Sequence, residues 1–341
     1  MRTSLLRIWA APAALLALAV AFAVHAQSRV AAVTVQKIEI RAQTIDAFDP
    51  RDPTLPQFGA LRFRGGLVLT SPNRDFGGIS ALRMTPDGER FLALTDRGHW
   101  LRARLVYRDG RPVALTDAEL APMLGADGRP LNKRGWYDSE SLAEDGSTVY
   151  VGFERVNEIV RFDLTKDGLL ARGQPIPVPP GVKALPNNKG LECLAMPAKG
   201  QPLAGTLIAI SERGLDGAGN ILGFLIGATG GTFTVKRIAD FDISDCTVTP
   251  RGDLLLLERR FSWLRGVAMR IRRVPLTTVK AGAVLDGEEL IFADMAYQID
   301  NMEGISTHRE ADGTLVLTLI SDDNFSPIQR TVLLQFTWAG E

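Results

Sequence analysis

Acidic side chains recur at the ends of five apolar segments of this sequence. The segments are FLALTDRG, VYVGFERV, LIAISERG, LLLLERR and LTLISDDN, and their acids are Asp96, Glu154, Glu212, Glu258 and Asp322. Upstream of each lies a partner motif, namely GGIS, DSESL, KGLECL, DISDC and NMEGIS, of which four carry an acid: Glu140, Glu192, Asp245 and Glu303. Carboxylates without Cys or His among them are hard oxygen ligands, suited to Ca²⁺ or Mg²⁺ rather than zinc.

These acids and the basic residues beside them define a candidate site. The candidate metal ligands are Glu140, Glu154, Glu192, Glu212, Asp245, Glu258, Glu303, Asp322 and Asp323. The candidate catalytic residues are Glu192, Glu303, Asp96 and His99, and the candidates for binding an anionic substrate are Arg97, Arg155, Lys189, Arg213, Arg259 and Asn324. A hard cation with guanidinium groups suits a phosphate ester, with a carboxylate as base. The alternative is that each acid forms a structural ion pair with an Arg of the next unit.

A hairpin must bring each pair of motifs together. Turn sequences such as TPDGE, EDGS, TPRGD and ADG separate the upstream motif from the acidic segment in four of the five units. In a hairpin, the numbers of two facing residues sum to about twice the residue number at the centre of the turn. The upstream motif and the strand-end acid of each of the five units meet this rule. The paired acids are therefore expected to be lateral neighbours, with Cβ atoms about 5 Å apart. Like charges at this distance repel each other, so each pair requires a cation, an arginine or a shared proton to compensate.

Five hairpins, each followed by a further strand pair, predict an all-β single β-propeller. We expect six blades, with the segment from Val33 to Thr70 supplying the sixth, and five blades as the alternative. Inner strands start and second strands end at one rim of the central channel, so the acids should gather there. Runs such as LLLL fit strands covered on both faces. Thr116 and Glu119 resemble a capping box and predict a short helical insertion near residues 116–124.

The beginning of the chain is typical of a secretory signal peptide. Arg2 and Arg7 precede an apolar run, and cleavage is expected near Ala26, leaving residues 27–341 as a single periplasmic or secreted domain without a membrane anchor. That domain would carry 37 basic and 39 acidic side chains, a formal charge of −2. A near-neutral balance gives no electrostatic case for nucleic acid. The expected partner is a small anionic ester, and a protein partner is not predicted.

The two cysteines, Cys193 and Cys246, each follow an acid at the start of an inner strand. Equivalent points on neighbouring blades should be farther apart than the roughly 7 Å between Cα atoms that a disulfide allows. The sequence therefore predicts a buried pair of free thiols.

Several motifs in order resemble one protein family. FGGISALRMTPDGERFLALTDRG, DSESLA, GFERVNEIVRFD, NKGLECLA, LLLLERRFS, YQIDNMEGIS and LISDDNFSPIQRTVLLQF are similar to the phytase-like family, described as having the esterase-like activity of phytase, of exported bacterial proteins. The resemblance implies a β-propeller and hydrolysis of phosphoric or carboxylic esters. The leading expectation is a Ca²⁺-dependent phosphate-ester hydrolase. The alternatives are a metal-dependent lactonase or carboxylesterase, and a non-catalytic periplasmic propeller that binds a ligand or protein.

Overall fold

The computed structural model describes residues 33–340 and shows a propeller of five blades. The all-β propeller is confirmed, and the expectation of six blades is wrong. The inner strands of successive blades contact one another in order, and the last contacts the first, so the ring is closed. No helix within residues 33–340 is long and apolar enough to cross a membrane. The predicted signal peptide, residues 1–26, lies outside the described residues.

The strands are numbered along the chain and grouped here by blade, from the inner strand outward. Blade 1 contains β5 (Ile79–Met84), β6 (Arg90–Thr95), β7 (His99–Arg108), β8 (Arg111–Pro122) and β1 (Gln36–Lys37). Blade 2 contains β9 (Ser139–Asp145), β10 (Thr148–Phe153), β11 (Glu158–Asp163) and β12 (Gln174–Pro175). Blade 3 contains β13 (Leu191–Ala195), β14 (Thr206–Leu215), β15 (Ile221–Gly227), β16 (Gly231–Val235) and β20 (Val284–Leu285).

The last two blades complete the ring. Blade 4 contains β17 (Asp242–Val248), β18 (Asp253–Ser262), β19 (Gly266–Pro275) and β21 (Glu288–Asp294). Blade 5 contains β22 (Asn301–Arg309), β23 (Leu315–Asp322), β24 (Thr331–Trp338), β4 (Leu61–Thr70) and β2 (Arg41–Ile45), with β3 (Gln57–Phe58) paired to β4. The helices are short: α-helices at Leu164–Asp167 and Pro180–Lys183, and 3₁₀-helices at Leu131–Arg134, Glu154–Val156, Gly168–Leu170 and Leu276–Thr278.

The segment expected to form a sixth blade instead closes blade 5. Strand β4 pairs along its length with β24, with Leu67 opposite Leu333. Both leucines are fully buried in a cluster with residues of blade 1 such as Leu82, so β4 is covered as a strand of blade 5. The two ends of the domain are thereby joined in one sheet.

The predicted helix near residues 116–124 is also wrong, because this stretch belongs to β8. Arg102 lies opposite Glu119 and Arg104 opposite Thr116, so one extra residue is accommodated between them. Asp117 has a φ of 51°, which marks the bulge. The apparent capping box is therefore a bulge in a strand, and Ala118, Leu120 and Ala121 are buried against the blade.

Blade packing explains the LLLL run. Leu254 and Leu256 pack with Ile208 and Ile210 of blade 3, whereas Leu255 and Leu257 pack with residues of blade 5. Alternate side chains of β18 therefore point to opposite faces, and both faces are covered.

A buried ion pair fills the centre of the channel. The guanidinium group of Arg83, on β5, donates to both carboxylate oxygens of Asp245 at 2.9 and 3.0 Å. It also donates to the carbonyl oxygens of Leu194, Cys246 and Ile305, which belong to blades 3, 4 and 5. Burial raises the pKa of Asp245, and Arg83 opposes that rise. One side chain thus ties four inner strands together.

The cysteines form a disulfide, so the prediction of free thiols is wrong. Cys193 on β13 and Cys246 on β17 have Cα atoms 5.1 Å apart. Inner strands converge toward the channel, which brings neighbouring blades within bridging distance there. The two cysteines also do not occupy equivalent positions, because Ser244 rather than Asp245 corresponds to Glu192.

Candidate functional site

Every inner strand carries a β-bulge at the same level of the channel. The ladder skips one residue in each blade, and these residues are Ser80, Glu140, Glu192, Ser244 and Glu303. A bulge re-aims a side chain out of the regular pleat, and such features recur next to active sites. Three of the five therefore present a glutamate at the same end of the channel. The hydroxyl groups of Ser80 and Ser244 instead donate to a carbonyl oxygen of the next blade.

The second strands end at the same level, two residues before the bulge in the facing strand. The backbone N–H groups of Asp96, Glu154 and Glu212 donate to the carbonyl oxygens of Gly78, Asp138 and Gly190. In blades 4 and 5 the equivalent ladder pairs are Asp242 with Arg259, and Asn301 with Asp322. The strand-end ring is therefore Asp96, Glu154, Glu212, Arg259 and Asp322.

Eight of these ten residues, all except Ser80 and Ser244, line a cavity of about 180 Å³, called here the acidic cavity. Its lining comprises Asp96, Asp138, Glu140, Glu154, Asn188, Lys189, Glu192, Glu212, Arg259, Glu303, Asp322 and Asn324. Eight carboxyl groups face two cationic groups, a formal excess of six negative charges when all are ionised. Such an excess cannot persist in a confined space without protons or a cation.

Three glutamates converge most closely. One carboxylate oxygen from each of Glu154, Glu192 and Glu212 lies within 4.8 Å of the other two, and all three residues are buried. Glu154 accepts a hydrogen bond of 2.8 Å from the N–H of Gly190, which fixes its orientation. Glu212 accepts one of 2.6 Å from Nζ of Lys189. Oxygen donors from three neighbouring positions are the type of set that holds Ca²⁺.

Burial and mutual repulsion change the ionisation of these acids. Burial, opposed by Arg97, raises the pKa of Asp96 to about 7. It also raises the pKa of Glu154 to about 7, and that of Glu303 to about 7 despite the attraction of Arg259. Burial and neighbouring acids raise the pKa values of Glu140 and Glu192 well above the ordinary range. The cavity therefore holds protons at neutral pH unless a cation displaces them.

Two oxygen atoms in this region are buried without a hydrogen-bond partner. They are Oδ1 of Asp96 and Oε2 of Glu303. A buried acceptor without a partner costs about 1–3 kcal/mol, so a ligand that satisfies it is favoured.

Most of the predicted site residues line the acidic cavity, but several do not. The acids placed elsewhere are Asp245, Glu258 and Asp323. Asp245 binds Arg83 below the cavity, and Glu258 is fully buried between Arg270 and Arg272. Asp323 accepts from the N–H groups of Gly78 and Phe325, so it fixes a loop. These three predicted metal ligands therefore do not line the acidic cavity, and each is held by donors of the protein itself.

Three of the predicted arginines and the histidine also lie outside it. Arg155 binds Asp138 at 2.8 Å, and Arg213 pairs with Asp242 of the next blade. Arg97 lies over the ring of Phe325, 3.3 Å from its centroid. His99 and Arg97 line a second cavity. Two lining residues, Asp138 and Asn188, were not predicted, although Asp138 begins the DSESL motif.

Similarity to known proteins identifies the family of this chain. A search of curated proteins finds no match. Solved structures similar to the chain include the WD40 repeats of RRP9 (TM-score 0.40, 10% identity, covering 82% of this chain and 99% of that one) and U3-55K (0.40, 10%, 76% and 95%). They also include a nidogen/laminin complex (0.38, 10%, 77% and 87%). The family model described as "Phytase-like: Esterase-like activity of phytase" matches residues 74–325, which carry all five bulges and the whole acidic cavity. The chain therefore belongs to the phytase-like family.

Proposed function

We propose that this protein is an exported, Ca²⁺-dependent hydrolase that cleaves a phosphate ester at the acidic cavity. The observation that carries the proposal is the convergence of Glu154, Glu192 and Glu212 within 4.8 Å in a cavity rich in carboxyl groups. Membership of the phytase-like family supports a hydrolase. Export to the periplasm or medium rests on the sequence near Ala26.

The donor set fits a hard divalent cation. Glu154, Glu192 and Glu212 would hold it, because their oxygens converge and no nitrogen or sulfur ligand competes among them. A bound divalent cation would neutralise charge on the phosphoryl oxygens of an ester. The raised pKa values of Glu154 and Glu192 support this placement, since burial and like charges favour either protons or a cation there.

The remaining residues suit binding and proton transfer. Arg259 and Lys189 are the two cationic groups of the lining and would attract an anionic ester. Asp96 has a pKa of about 7 and a buried Oδ1 without a partner, so it is suited to take a proton from water. Glu303 has a similar pKa and lies 2.9 Å from Nε of Arg259. It is suited to return a proton to the leaving alcohol.

A carboxylic ester or lactone is the second candidate substrate. The family description names an esterase-like activity. Hydrolysis of a carboxylic ester in the acidic cavity would need no loop that binds phosphate. The same residues would then position a carbonyl group instead of a phosphoryl group.

The test combines metal analysis with a substrate panel. The purified protein is analysed for bound metal and then assayed on 4-nitrophenyl phosphate, 4-nitrophenyl acetate and a lactone, with EDTA and with added Ca²⁺. We expect Ca²⁺-dependent release of phosphate, and a loss of Ca²⁺ affinity of roughly 10-fold or more in Glu192→Gln. Glu89→Gln, at an exposed turn, is the matched control. Turnover of the acetate or lactone alone would favour the second candidate. Absence of both Ca²⁺ binding and turnover would leave a non-catalytic propeller.

A further inference from the structure

A second and larger cavity lies beside the acidic cavity, with a volume of about 450 Å³. This size is within the usual range for sites that bind small molecules. It is built by blade 1 and by the 3₁₀-helix Leu131–Arg134 that leads into blade 2. None of the residues assigned above to the metal or to proton transfer lines it.

Two segments of the chain form the wall between the two cavities. Asp96 faces the acidic cavity, and the next residue, Arg97, faces the second cavity. In the neighbouring segment, Tyr137 lines the second cavity and Asp138 the acidic one. The N–H of Asp138 donates to the carbonyl oxygen of Asp96 across 2.6 Å and fastens the two segments together. The two cavities therefore adjoin along these two segments of the chain.

The second cavity has the opposite electrostatic character. Arg97 and Lys133 line it, and Asp75 is its one acid, at 4.0 Å from Arg97. Burial lowers the pKa of His99, which keeps that imidazole neutral. Two cationic groups in one lining are suited to a carboxylate or another oxyanion.

The rest of the lining is apolar or lacks partners. Leu120, Pro122, Pro130 and the ring of Tyr137 provide hydrocarbon surface. Nδ1 of His99 and Oδ1 of Asn132 are buried and make no hydrogen bond within the protein. Buried polar atoms are normally satisfied, so both atoms have bonding capacity left for a ligand that reaches them.

We propose that the second cavity binds the organic part of the substrate, and that this part is a small ring carrying an anionic group. The ring packs on the apolar wall, and its anionic group faces Arg97 and Lys133. The ester oxygen then lies at the wall between the cavities, next to Asp96. The assignment of this group as the leaving alcohol rests on the proposed function, whereas the binding itself does not.

Binding is tested without turnover. Fluorine NMR titration of 4-fluorobenzoate and of the neutral 4-fluorobenzyl alcohol compares the same ring with and without charge. We expect the benzoate to bind about 10-fold more tightly, and Lys133→Ala to remove most of that difference, as for one charge-assisted contact of about 1.4 kcal/mol. Lys199→Ala, in an exposed loop that does not line this cavity, should change neither affinity. Equal binding of the two probes, or an unchanged benzoate affinity in Lys133→Ala, would overturn the proposal.

Turnover separates the two proposals. The wild-type protein should hydrolyse 4-carboxyphenyl phosphate with a kcat/KM about 10-fold above that of phenyl phosphate, and Lys133→Ala should lower only the former. If neither is hydrolysed but benzoate binding depends on Lys133, the binding site stands and the phosphatase function fails. If both are hydrolysed equally and benzoate binding is insensitive to Lys133, the phosphatase function stands and the second site fails.

Discussion

Arg259 occupies in blade 4 the strand-end position that Glu212 occupies in blade 3, and its Nη2 lies 3.4 Å from Oε1 of Glu212. A ring that would otherwise contain five acids therefore contains four acids and one guanidinium group. The same arginine lies 2.9 Å from Oε1 of Glu303 through its Nε. Together with Lys189, it limits repulsion within the acidic cavity when no metal is bound.

Replacing Arg259 by Met should destabilise the metal-free protein more at pH 8 than at pH 5. At pH 8 the acids are driven to ionise without their cation, whereas at pH 5 those with raised pKa values remain protonated. Removing one partner of a buried pair costs roughly 3–5 kcal/mol, and we expect a loss of that order at pH 8. Urea unfolding in EDTA measures it. Arg213→Met, which removes a more exposed pair, should cost about 1 kcal/mol or less, and equal losses for the two variants would contradict this explanation.

The stability of the metal-free protein should fall as pH rises from about 4.5 to about 7. Asp96, Glu154 and Glu303 have pKa values near 7 when folded, above those of the unfolded chain. Between these limits the native state binds more protons than the unfolded state, so the free energy of unfolding decreases with pH. Added Ca²⁺ should remove much of the decrease. Unfolding in urea across this range checks the slope, which should be shallower in Glu154→Gln; a stability that rises through the window would contradict it.

Gly190→Ala should weaken metal binding without removing any ligand. A Cβ at this position would lie 2.8 Å from Cγ of Glu154, and the N–H of Gly190 is the donor that orients that glutamate. Glu154 must therefore move, and we expect Ca²⁺ affinity to fall roughly 10-fold, as for loss of an orienting contact. Isothermal titration calorimetry gives the affinity. Gly217→Ala, where a Cβ would meet nothing within 4 Å, is the control and should bind as the wild type does.

Removing the disulfide should lower the free energy of unfolding by about 4 kcal/mol. The bond closes a loop between cysteines 53 residues apart, and the chain-entropy account gives roughly this value for such a loop. Urea unfolding of the Cys193→Ala/Cys246→Ala variant measures the loss. Thiol titration of the unreduced wild type in denaturant should find no free thiol. Two titratable thiols would restore the free-thiol reading of the sequence.

The repeat, the hairpins and the clustering of acids could be predicted because they depend on turn chemistry and strand period. The register between β17 and β18 in blade 4 could not be predicted. The pairs Asp245 with Glu258 and Ser244 with Arg259 have the same sum, so a rule based on turn centres cannot tell them apart. Only the bulge at Ser244 decides which of the two pairings forms, and a bulge has no strong signature in the local sequence. This one-residue shift explains both the wrong acids in blade 4 and the wrong argument against the disulfide.

The predictions of six blades and of a helix near residues 116–124 were wrong for a different reason. Strand β4 and the stretch around Asp117 are locally ambiguous, and the strands with which they pair decide their structure. Leu67 pairs with Leu333, and Glu119 with Arg102. Tertiary pairing overrides local propensity in such cases.

The Arg83 side chain crosses the channel between Asp245 and the carbonyl oxygens of three blades. The tunnel through the ring is thus divided, and a smaller chamber lined by Arg83, Met84 and Glu144 lies on the far side. Because Arg83 and its partners occupy the channel, we expect a product formed in the acidic cavity to leave through the same opening by which the substrate enters.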